Sequence, residues 1–229
     1  MWQGKMKAVT FSFDDGVVQD RRVIEIFNKY GLKGTFNLNS ALLGMKGTLE
    51  RNGRITDYTK VEPDELTETY FGHEIAVHTL SHPRLYDMPD ETLIYQVEED
   101  RLALSALAGY EVVGMAYPFG DCNDHIAEVI KEHTGVKYSR TVKSTLSFDL
   151  QDDLYRFNPS VYYIHTDDMF RLGREFLELK CDTPKLFYVW GHSYELDAEY
   201  LSWETFEEFC SMMSGQDDIF YGTNKDVLL

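Results

Sequence analysis

Hydrophobic positions along the chain switch repeatedly between a period of two and a period near 3.6, with glycine, proline or acidic residues at the switches. Val9, Phe11 and Phe13 alternate with Thr10 and Ser12, which predicts a strand buried on one face. The run stops at Asp14-Asp15-Gly16, and Val23, Ile26, Phe27 and Tyr30, closed by Gly31, then predict an amphipathic helix. Residues 34–39 alternate as a second strand, whereas residues 41–61 mix Gly44, Gly47 and Gly53 with charges and read as an irregular excursion. A helix is expected over 63–70, a strand over 74–78, and a long helix from Pro89 to Gly109 with Leu93, Val97, Leu104 and Leu107 on one face. Residues 112–117 form a fourth strand that runs into Pro118-Phe119-Gly120, followed by a helix bearing Ile126, Val129 and Ile130. Further strands are expected at 136–142, 155–164, 186–191 and 219–221, with helices around Met169–Leu179 and Trp203–Met213 between them.

This alternation predicts an α/β protein with a parallel sheet wrapped by helices, a distorted (β/α) barrel or, as the competing architecture, a doubly wound open sheet. At 229 residues the chain suits a single domain over 1–229. A composition of 43% hydrophobic and 27% charged residues is that of a globular protein. No apolar run of about 18 residues exists to span a bilayer, and no secretory signal is recognisable, so a cytoplasmic location is expected. The net charge of −17, without a basic cluster, argues against nucleic acid and anionic membranes as partners. Three cysteines far apart and without a CxxC pair suggest neither a disulfide framework nor a zinc ribbon.

Chemistry-bearing residues gather where strands end. Asp14 and Asp15 lie at the carboxyl end of the first strand, the end at which α/β sheets and barrels keep their sites, although capping of the following helix would equally explain them. His78 and His82, spaced i, i+4, can turn both imidazoles toward one ion, and an acid from the first strand end would complete a two-His, one-Asp site open to water. His192, at the end of the 186–191 strand, is placed to protonate a leaving group near neutral pH.

Ser12-Phe13-Asp14-Asp15-Gly16, with Gly72-His73-Glu74-Ile75 and His78-Thr79-Leu80-Ser81-His82-Pro83, resembles the first two motifs of the polysaccharide deacetylases, the NodB-homology carbohydrate esterases. Tyr117-Pro118-Phe119-Gly120 and Trp190-Gly191-His192-Ser193 stand in the places of the third and last motifs. The resemblance implies a barrel of about seven parallel strands. It also implies Asp14 as general base, Asp15, His78 and His82 as ligands of one divalent transition metal, zinc ahead of cobalt, nickel, manganese or iron, and His192 as general acid. The Phe119 backbone N–H would help hold the oxyanion, with Tyr117, Trp190 and Arg140 on the substrate side. The implied reaction is hydrolysis of an amide that releases an acyl group, acetyl first, from an N-acylated sugar or another linear or cyclic amide.

The chain departs from this pattern at three places. Ala116 stands where an arginine ordinarily pairs with the catalytic aspartate, and Arg140 could supply that pairing from another strand. Phe119 replaces the commoner tyrosine. The acidic partner of His192 has four candidates: Asp149, Asp152, Asp153 and Glu195. The missing export signal and acidic surface lead us to expect a small-molecule or oligosaccharide amide as substrate. Two other readings follow from the same residues: a metal-binding protein that recognises carbohydrate without turnover, and a non-haem iron oxygenase built on the two-His, one-carboxylate set.

Overall fold

The computed structural model describes residues 1–229. Its strands are β1 (Lys7–Asp14), β2 (Gly34–Leu38), β3 (Thr48–Arg51), β4 (Arg54–Asp57), β5 (Glu74–Val77), β6 (Gly114–Ala116), β7 (Tyr138–Arg140), β8 (Val161–Tyr162), β9 (Lys185–Gly191) and β10 (Ile219–Tyr221). The helices are α1 (Asp20–Tyr30), α2 (Leu66–Thr69), α3 (Asp90–Ala108), α4 (Asp124–His133), α5 (Thr166–Glu178), α6 (Tyr194–Asp197), α7 (Trp203–Met213) and α8 (Asn224–Leu228). None of them is long and apolar enough to cross a membrane. The main sheet has the order β7-β6-β5-β2-β1-β9-β8, with β10 also paired to β1, and every pairing is parallel. The sheet curls until Arg140, ending β7, forms a parallel bridge with Phe157 just ahead of β8. The expected distorted barrel is the observed architecture.

All eight residues of β1 are buried, so its alternation does not separate core from water. Phe11 and Phe13 pack outward against Phe27 of α1 and Phe209 and Phe206 of α7. Thr10 and Ser12 point the other way, into a polar interior. There Thr10 donates to Asn224 at 2.9 Å, and Ser12 accepts from Asn37 at 2.9 Å. The one-wet-face reading of β1 is thereby corrected, because strand curvature encloses the polar positions and side-chain partners replace water there.

Several boundaries also differ from expectation. The 41–61 excursion contains the antiparallel hairpin β3–β4, turning at Asn52-Gly53. Of residues 155–164 only Val161–Tyr162 is strand, and the tail after β10 is helix α8 with a Thr223–Asp226 capping box. Leu107 of α3 is exposed rather than packed. Helix α1 begins at Asp20 after Gln19, so neither Asp14 nor Asp15 caps it. Gly16 makes the intervening turn at φ 61°, and a Cβ there would lie 2.7 Å from Leu38 Cδ2.

Candidate active site

Asp15, His78 and His82 converge at the carboxyl end of the sheet, with one ligand atom from each lying within 4.8 Å of the others. The Asp15 carboxylate Oδ1 is 3.7 Å from His78 Nε2 and 3.5 Å from His82 Nε2. His78 Nδ1 lies 2.8 Å from the Ala116 carbonyl, which can only accept, so Nδ1 carries the proton and Nε2 turns its lone pair to the centre. Asp100 of α3 accepts the His78 backbone N–H at 3.1 Å and so anchors the strand end. Burial lowers His78 to about 4, against the pull of Asp14 and Asp15, and it lowers His82 as well. Both rings are neutral at pH 7. Burial opposes ionisation of Asp15, yet the charges of Lys60 and His192 outweigh it and leave the carboxyl well below its ordinary value. Asp15 Oδ1 is buried without a hydrogen-bond partner, although such an atom ordinarily has one. An anionic oxygen, two imidazole lone pairs and no internal proton donor between them suit a divalent cation of the zinc type.

Asp15 and His82 hold left-handed backbone at φ 84° and 57°, and Thr79 does so at 65°. For non-glycine residues such conformations cost about 1–3 kcal/mol each and persist where the surroundings enforce them. The Lys60 ammonium, itself buried, donates to the Asp15 carbonyl at 2.7 Å, and Val61 N–H donates to the Gly16 carbonyl at 3.0 Å. This strap holds the acidic turn from outside the sheet.

Asp14 has a different set of partners. Arg140 Nη2 lies 2.5 Å from its carboxylate, and Asn37 donates to Oδ1 at 2.8 Å. The arginine is wholly buried and does not line the cavity, which corrects its assignment to the substrate side. The end of β7 reaches Asp14 from across the curled sheet and brings a guanidinium where Ala116 offers none. Burial alone would raise the Asp14 carboxyl, but Arg140, His78 and His192 more than offset this and lower it.

His192 Nε2 stands 4.0 Å from Asp14 Oδ2. Its Nδ1 is 3.3 Å from Glu195 Oε1, and Glu195 Oε2 accepts the His192 backbone N–H at 3.1 Å. Tyr162 also donates to Glu195. Burial disfavours charge on His192, but Glu195, Asp15 and Asp14 hold its pKa up at about 9. Of the four acidic candidates, Glu195 is the neighbour. Asp149 pairs with Lys185 and Asp153 with Arg156, and Asp152 lies outside the cavity.

These residues line a cavity of about 640 Å³. Trp190 and Tyr162 stack at 4.2 Å on its inner wall, and Tyr117, whose hydroxyl donates to the Tyr155 carbonyl at 2.8 Å, lies deeper. Phe119, half exposed at φ 57°, packs on His82 at 4.4 Å. Hairpin β3–β4 adds Leu49 and Arg51, Tyr58 follows β4, and Tyr194 and Tyr200 complete the lining. Asn37, Arg51, Tyr58, Lys60 and Tyr162 were not legible as site residues. Only the i, i+3 spacing of His192 and Glu195 gave a local signal for the acidic partner.

The family model described as polysaccharide deacetylase matches residues 3–138, a span holding Asp14, Asp15, His78, His82 and Phe119. No curated protein matches the chain. Among solved structures, a Mycobacterium smegmatis protein described as a polysaccharide deacetylase superposes with a TM-score of 0.65 at 17% identity, over 98% of this chain and 89% of that one. A Streptomyces lividans family 4 carbohydrate esterase in complex with acetate gives 0.54 at 10% identity, over 92% and 86%. A Streptococcus pyogenes deacetylase in complex with acetate gives 0.54 at 20% identity over 64% of this chain, which spans 61% of that protein's length. These likenesses establish a shared fold, and the family model covers more than half of the sequence. The chain belongs to the polysaccharide deacetylase family.

Proposed function

We propose that the protein is a metal-dependent hydrolase that removes an acyl group, acetyl first, from the nitrogen of an N-acylated sugar. The observation that carries this reading is the division of labour between adjacent acids. Asp15 keeps a bare oxygen toward two imidazoles, while Asp14 is ionised and held off by Arg140 and Asn37. A divalent cation held by Asp15, His78 and His82 would polarise the acyl carbonyl and acidify water.

Asp14 accepts the proton of the attacking water as a C–O bond forms at the acyl carbon. In this reading the Phe119 backbone N–H donates to the resulting oxyanion. His192, protonated near neutral pH through Glu195, gives its proton to the nitrogen as the C–N bond breaks. One group is ionised and the other protonated at the same pH, which is the pairing an acid–base hydrolase needs. Acetate in the Streptococcus and Streptomyces structures supports acetyl as the leaving acyl group.

The reading as a binding protein without turnover rested on Ala116; with Arg140 against Asp14, that ground is gone. A Bacillus anthracis structure described as a family 4 pseudoenzyme shares the fold at a TM-score of 0.56 and 13% identity, so the mechanism needs a direct test. Elemental analysis should find about one divalent ion per chain, and acetate release should be measured on N-acetyl sugars. Asp14→Asn should keep the metal and lose about 10²–10⁴-fold in turnover, whereas His82→Ala should lose the metal. Full activity of Asp14→Asn, or a wild type that neither binds metal nor releases acetate, would refute the mechanism.

A further inference from the structure

Charge on the hairpin wall of the cavity is unevenly compensated. Arg51 and Arg54 face each other directly in the β3–β4 ladder, and like charges so placed cost stability unless each meets an anion. Arg54 pairs with Glu199, and Asn52 donates to the Ala198 and Glu199 carbonyls at 3.0 and 3.3 Å, which ties the hairpin tip to the segment after α6. Arg51, exposed on the hairpin, has no carboxylate partner; its guanidinium donates to the carbonyl of Glu50 at 3.1 Å and lies within hydrogen-bonding reach of Tyr194. It is the one lysine or arginine that lines the cavity, where it stands beside the Tyr58 and Tyr194 side chains. Those two rings meet edge to face at 5.3 Å, so the guanidinium has an ordered aromatic wall beside it.

We infer that Arg51 recognises an anionic group on the substrate, a carboxylate or phosphate carried away from the scissile amide. The inference rests on the deacetylase reading and narrows it to anionic N-acyl sugars. A guanidinium presents a planar fork that fits either oxyanion with two hydrogen bonds, and the neighbouring tyrosine hydroxyls can add donors. The protein as a whole carries a charge of −17 and repels anions, so an anionic ligand needs a local cation to settle in this cleft. Binding would also supply the counter-charge that Arg51 lacks.

The test compares acetate release from N-acetylglucosamine, N-acetylglucosamine 6-phosphate and N-acetylmuramic acid by the zinc-loaded wild type, Arg51→Gln and Arg51→Lys. In Arg51→Gln the ratio of kcat/KM for the preferred anionic sugar to that for the neutral one should fall about tenfold, through KM, with partial recovery in Arg51→Lys. The preference should weaken as salt is added. The phosphate and carboxylate arms identify which anion is taken. An unchanged ratio in Arg51→Gln for both anionic sugars overturns the inference. A second measurement needs no turnover: calorimetric binding of the two anionic sugars to Asp14→Asn, with and without Arg51→Gln. Weaker binding in the double variant supports the inference, and equal binding overturns it. A wild type that releases no acetate from any sugar counts against the deacetylase reading, while the calorimetry still decides the role of Arg51.

Discussion

Replacing Arg140 by methionine tests the reading of Asp14 most directly. The arginine side chain is wholly buried, its Nη2 is 2.5 Å from the Asp14 carboxylate, and Nη1 donates to the Thr141 carbonyl at 2.9 Å. Without it, Asp14 keeps Asn37 at 2.8 Å as its remaining side-chain donor and loses the nearest positive charge. Removing one partner of a buried pair costs about 3–5 kcal/mol. A domain of this size loses roughly 2–4 °C of melting temperature per kcal/mol, so Arg140→Met should melt about 6–20 °C lower. The sign with pH follows from the depressed Asp14 pKa: its contribution to stability is present above the ordinary carboxylate value and is lost as pH falls through the folded one. In Arg140→Met burial dominates, the Asp14 pKa rises, and the acid limb of the kcat/KM profile should move to higher pH. Asp14→Asn added to Arg140→Met removes the unpaired charge and should recover much of the stability. Differential scanning calorimetry across pH, with the double-mutant cycle, measures all of this. A melting temperature within 2 °C of wild type for Arg140→Met, or a double variant no more stable than the single, would refute the reasoning.

Glu195→Gln removes the charge that holds His192 at about 9, so the alkaline limb of kcat/KM should shift to lower pH. The stability that His192 contributes is complete below its ordinary value of 6.5 and lost as pH rises through about 9, and the variant should lose that dependence. An unmoved alkaline limb would separate His192 from the acid role. Asp20, bonded by Tyr70 at 2.8 Å and Ser193 at 2.5 Å, is pushed by burial from 3.8 up to about 7. The folded state therefore retains a proton there, and stability falls as pH rises between those values. Asp20→Asn should flatten the melting temperature between the ordinary value of 3.8 and about 7, and a slope as steep as wild type there would contradict this.

Local order was legible because helices and strands write their own periods into the chain. Phe11, Phe13 and Asp14-Asp15-Gly16 announce a strand and the turn at its carboxyl end, and the spacing of His78 and His82 announces two rings brought together, as they are at 4.8 Å. Proline and glycine at Pro89 and Gly109 marked the ends of α3. The β3–β4 hairpin escaped because its strands are short, charged and mostly exposed, so no apolar period reports them, although Asn52-Gly53 is a hairpin turn signal. Alternation in β1 showed that two faces differ, but a period carries no information on what each face meets. Sheet curvature made the second face a polar interior. The pairing of Asp14 with Arg140 spans 126 positions and the Tyr162–Glu195 contact spans 33. Such partners are set by where the curled sheet brings its ends together, a property of the whole chain, whereas Asp14, Asp15 and the histidines owe their placement to the local rule that a strand ends and a turn begins.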